Sequence, residues 1–85
     1  MEKIKLRNKE IKCRKESRGY TIFDGYNAIL ANDTFIIILK LISSNKSVNE
    51  IQDILLSKFN LDNSDEDLLL HDIHHVKDFI KSKNW

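Results

Sequence analysis

The chain has no proline, two glycines and one cysteine in its 85 residues. Without proline, repeats or low-complexity tracts, nothing marks a linker, so a single domain over residues 1–85 is expected. Gly19 and Gly25 are too few for a glycine-rich phosphate loop. Cys13 alone cannot form an internal disulfide, which fits a reducing, cytoplasmic setting. Lys12 and Arg14 flank it, but no resolving cysteine and no histidine nearby in sequence completes a nucleophilic site. The longest apolar run, Phe35–Leu39, is far short of the roughly 20 residues that span a bilayer. The N-terminal Met-Glu-Lys-Ile-Lys-Leu-Arg has neither the apolar core nor the cleavage site of a secretory signal. No acid–base pair stands apart from the solvated charges, so an enzyme is not expected, and no cofactor is implied.

What is present is enough for one small core: 41% of residues are hydrophobic, twelve of them isoleucine. The net charge of +1 is unevenly spread. Residues 1–18 hold eight Lys/Arg against three Glu, and residues 19–85 hold six Lys against ten Asp/Glu. A basic segment on an acidic body either steers an acidic partner or is simply a solvated strand and tail.

Residues 1–9 alternate weakly and are expected to be frayed. Glu10–Lys15 alternates more clearly, with Ile11 and Cys13 on one face, and reads as the first strand. Asp24-Gly25 predicts a two-residue type I′ loop in a hairpin of Tyr20–Phe23 and Tyr26–Leu30. Phe23 would then face Tyr26, Ala28 would hydrogen-bond inward, and Asn27, Ile29 and Ala31 would point their backbone groups outward. One face would carry Thr21, Phe23, Tyr26, Ala28 and Leu30, the other Tyr20, Ile22, Asn27, Ile29 and Ala31. Both are substantially apolar, so either helices wrap the sheet or one face awaits a partner.

Asn32-Asp33-Thr34 offers capping oxygens to a helix beginning near Phe35. Ser47-Val-Asn-Glu50 is a capping-box pattern opening a second helix. Ser64-Asp-Glu-Asp67 opens a third, where acids suit the helix dipole. Its stripe is Leu69, Ile73, Val76 and Ile80, widened by Leu68 and Phe79. The whole is α+β: a small winged-helix-like domain with a three-stranded antiparallel sheet followed by three helices. His71 and His75 share a helical face, but the further ligands a metal needs are not at hand, and none is expected. A helix–loop–helix beside a hairpin also describes a DNA-binding winged helix. Residues 65–78 hold five acids against one cation, Lys77, which opposes docking on a phosphate backbone.

Laid out in this order, the chain resembles the PqqD family, also called RiPP recognition elements. The resemblance covers residues 10–83. It rests on the glycine-aromatic hairpin from Gly19-Tyr20 to Leu30, then Asn32 and Thr34 before an apolar helix, Ser47-Val48-Asn49-Glu50-Ile51, Asp72-Ile73 and Phe79-Ile80. The glycine such chains carry between the first two helices is missing from Ser43–Lys46. The resemblance implies a non-catalytic peptide chaperone that binds the leader segment of a ribosomally made precursor peptide by β-strand addition. It then presents that peptide to a separate modifying enzyme, such as a radical SAM protein or a lasso-peptide protease and cyclase. Carried onto this chain, the leader-binding strand edge is Asn27, Ala28, Ile29, Leu30 and Ala31. The helical wall is Leu69, Leu70, Ile73, His74, Lys77 and Lys81, whose lysines would attract acidic leader residues. Neither nucleic acid nor a membrane is an expected partner. Richness in Ile, Lys and Asn suits an AT-rich bacterial genome.

Overall fold

The computed structural model describes residues 1–85, the side chain of Asn63 excepted. Four strands come first: β1 (Glu2–Lys5), β2 (Glu10–Lys15), β3 (Tyr20–Asp24) and β4 (Asn27–Ala31). They form one antiparallel sheet in chain order. Three helices follow, α1 (Asp33–Ser43), α2 (Val48–Lys58) and α3 (Glu66–Lys83), the last entered through a short 3-10 turn. The α+β class read from sequence is the observed one, with one strand more than expected. Residues 1–9 are not frayed. Ile4 lies opposite Ile11 in β2, and Ile4 and Leu6 are buried. That pairing joins residues seven apart, and the weak alternation of residues 1–9 did not announce it.

Alternation along the strands puts Cys13, Ile22 and Ile29 in one cross-strand row on the face that meets the helices. Cys13 and Ile22 pack into one core with Ile36, Ile38 and Leu39 of α1, all fully buried. Ile51 and Leu55 of α2 and Leu69, Ile73 and Val76 of α3 close that core from the other side. Burial pushes the Cys13 thiol pKa up, so this residue serves as a small core hydrophobe. On the opposite sheet face stand Lys3, Lys12, Arg14, Phe23, Ala28 and Leu30, with Arg14 lying over the Phe23 ring at 5.3 Å.

The helix starts follow local chemistry. The Asn32 side chain accepts from the Phe35 N–H at 2.8 Å, and Ser47 and Glu50 exchange two bonds at 3.1 and 3.2 Å. Asn45, Asn60 and Asn84 hold positive φ at or just past the three helix ends, the position usually given to glycine. Asn45 thus fills the place of the glycine missing from Ser43–Lys46. Gly19 could not be replaced so easily. Its φ is +81°, and a Cβ there would lie 2.4 Å from the Ala31 carbonyl oxygen.

The hairpin differs from the expectation by one residue. Its two-residue loop is Gly25-Tyr26, closed by Asp24 opposite Asn27, rather than Asp24-Gly25 closed by Phe23 opposite Tyr26. Gly25 has φ +61° and Tyr26 does not have positive φ, as a type II′ turn requires. Asp24 leaves the loop because its carboxylate has partners elsewhere. Lys9 pairs with one oxygen, and the Trp85 indole N–H donates to the other at 3.1 Å.

Candidate functional site

The loop position sets which backbone groups of β4 are free. In a two-residue hairpin the closing pair exchanges hydrogen bonds, and the pairs beyond it alternate. Asp24–Asn27, Ile22–Ile29 and Tyr20–Ala31 are therefore the bonded pairs. Asn27, Ile29 and Ala31 bond inward to β3, while Ala28 and Leu30 present their N–H and C=O groups at the outer edge. This reverses the parity expected from an Asp24-Gly25 loop. The face assignments survive, because each partner moved by two positions, which is one full side-chain period.

The two edges of the sheet are unlike. β1 reads Glu-Lys-Ile-Lys, so three of its four residues are charged, the usual guard against a strand pairing on from outside. β4 reads Asn-Ala-Ile-Leu-Ala, with no charge and no proline. Leu30 is 84% exposed, and Tyr26 at its head is fully exposed.

Beside that unguarded edge lies a cleft of about 320 Å³. Ile29, Leu30 and Ala31 form one side, Asn32, Thr34, Phe35 and Ile38 its end, and Asp72, His75, Val76 and Phe79 of α3 the facing wall. Phe35 and Phe79 meet edge to face at 5.3 Å, and Phe79 meets Trp85 at 5.4 Å. Those contacts, with the Trp85–Asp24 bond, run α3 antiparallel to β4 along the cleft. Apolar side chains next to free backbone donors and acceptors can hold an extended peptide, with ladder bonds on one side and packing on the other. A second depression of about 570 Å³ opens between Lys5–Arg7, Ile42–Asn45 and Ile80. The strand beside it is the charged β1.

Of the residues named from sequence, Ile29, Leu30 and Ala31 line the cleft, and Asn27 and Ala28 continue the same edge. The six named on α3 do not reach it. Leu69 and Ile73 are buried in the core, Leu70 is half-buried, and His74, Lys77 and Lys81 are exposed on the far flank of the helix. At 100° per residue the core stripe has two flanks, and the cleft uses the one holding Asp72, His75 and Phe79. Leu68 and Phe79 had already widened the stripe on that side. Lys77 and Lys81 therefore lie away from any strand bound at β4. The basic N-terminal strands stand at the opposite side of the sheet, roughly 10–14 Å from β4 at ordinary strand spacing. Among the described residues no cluster of three His, Cys, Asp or Glu side chains could hold a metal ion.

Comparison of the chain with family models, curated proteins and solved structures gave no match.

Proposed function

We propose that this protein is a non-catalytic peptide carrier of the winged-helix-like kind. It binds the leader of a ribosomally made precursor as an added strand on β4 and offers that precursor to a separate enzyme. The observation that carries this reading is the asymmetry of the sheet. One edge is guarded by charge, and the other is uncharged, unpaired and set beside a cleft that mixes Phe35, Val76 and Phe79 with Asn32, Asp72 and His75. A regulator reading duplex DNA through α3 is disfavoured by the exposed Asp67 and Asp78, which share its outer face and would meet phosphate.

The hydrogen-bond parity supplies the test. Random peptides of about twelve residues, enough to span the strand and its flanks, are displayed and selected on the protein. The enriched peptides are then titrated against two proline variants. Ala28→Pro removes an outward N–H, which an edge strand tolerates, and should leave the fold intact by circular dichroism. Ile29→Pro removes a bond to β3 and should damage the fold. Losing one ladder bond costs about 0.5–1.5 kcal/mol, and the ring also obstructs the incoming strand. Peptide affinity for Ala28→Pro should therefore fall at least about tenfold. A folded Ala28→Pro protein that binds the peptides as tightly as the parent would refute docking at this edge.

A further inference from the structure

The cleft carries opposite charges at its two ends. Asp72 lines the α3 wall two turns before Phe79, and so stands on the side beyond Ala31. Lys83 is outside the lining but flanks it one turn past Phe79, its Nζ 5.6 Å from that cleft-lining ring. Neither has a salt-bridge partner among the described residues, so both are free to pair with a bound peptide. Between the two charges the α3 wall is His75, Val76 and Phe79, with Phe35 and Ile38 beside it and Ile29 and Ala31 opposite.

Resting on the peptide-carrier reading, we infer that the captured peptide is itself dipolar. It has a Lys or Arg at the Asp72 end, alternating apolar residues in the cleft, and an Asp or Glu at the Lys83 end. The spacing follows from the helix. Asp72 and Lys83 are eleven residues apart, which at about 1.5 Å per residue is roughly 16 Å. An extended strand covers that in about five residues at roughly 3.3 Å each, and because its side chains alternate between faces, two charges that both turn to α3 stand about four or about six apart. The order follows from the run of α3. Phe79 meets Phe35 just past the Ala31 end of β4, and Trp85 meets Asp24 just before the Asn27 end. A strand antiparallel to β4 starts at the Ala31 end, so its cation precedes its anion. This turns round the expectation that Lys77 and Lys81 would select an acidic leader, because those two lysines face away from the cleft.

The selection described above tests the inference if run at low salt, about 50 mM, where charge pairs are least screened. The consensus should show a cation followed about four or about six residues later by an acid, an even spacing that turns both toward α3, with apolar residues at the alternate positions between. Exposed pairs are individually weak. Reversing both charges in D72K/K83E should nevertheless lower affinity for these peptides about tenfold and restore it for peptides with the charges exchanged. Should that variant fail to fold, the neutral pair D72N/K83Q should lose a few-fold in affinity together with most of the salt dependence. If the enriched peptides bind, and Ala28→Pro abolishes their binding, but no charge order emerges, the inference falls while the carrier reading stands. If no peptide is enriched, or Ala28→Pro has no effect, both fall.

Discussion

Trp85 offers the sharpest test of how the cleft wall is held. Its side chain is buried, its ring meets Phe79 at 5.4 Å, and its indole N–H reaches the Asp24 carboxylate at 3.1 Å across 61 residues of sequence. Replacing a buried Trp or Phe by Ala costs about 3–5 kcal/mol. An 85-residue domain has a total stability of about 4–13 kcal/mol. Trp85→Ala should therefore lower the thermal midpoint by at least about 12 °C, at 4–8 °C per kcal/mol for this size. Trp85→Phe separates the two contributions. It keeps most of the packing and deletes the donor to a carboxylate, a bond worth about 1.5–3 kcal/mol. Lys9 still pairs with Asp24, so a loss near the lower figure is expected, and a cycle with Asp24→Ala should show the two residues to be coupled. Circular dichroism in urea measures all five proteins, the double variant included, without relying on the lost tryptophan fluorescence. If Trp85→Ala costs less than about 1 kcal/mol, Trp85 does not clamp α3 to the hairpin, and the account of the loop shift falls with it.

Two further outcomes follow from the backbone and the caps. Gly19→Ala sets a Cβ against the Ala31 oxygen at positive φ and should cost about 3 kcal/mol or more, whereas Gly25→Ala meets open space and should cost about 1 kcal/mol. Equal losses on urea unfolding would refute that distinction. Glu50 is held below the ordinary 4.5 of a glutamate by the Ser47 N–H and then by its hydroxyl. Its contribution is present above pH 4.5 and lost as the pH falls through and below that value. Glu16, held down by Arg14 and then Thr21, acts in the same sense. Glu50→Gln, which can still close a capping box, should flatten the acid side of the stability profile. An unchanged acid limb would contradict this.

How much was legible in the sequence depended on how far away each cause lay. The caps at Asn32 and Ser47 were readable because donor and acceptor are three residues apart. The faces of β3 and β4 were readable from alternation alone. The loop was misplaced because the Asp-Gly preference is local, while the pull of Lys9 and Trp85 on Asp24 is not. The core stripe of α3 was found, but a stripe has two flanks, and only the packing of Phe79 on Phe35 fixes which one meets β4. Trp85, last in the sequence and outside any periodic segment, gave no local sign of being core.

The sheet face turned away from the helices has a consequence for any strand that joins β4. Side chains on such a strand point alternately to the two faces. Every second one would enter the cleft, and those between would stand in the open beside Ala28 and Leu30. Grip and display are thereby divided between odd and even positions. A peptide could change each outward residue without loosening its hold, and whatever those residues spell would stay readable to a third molecule while the peptide remains bound.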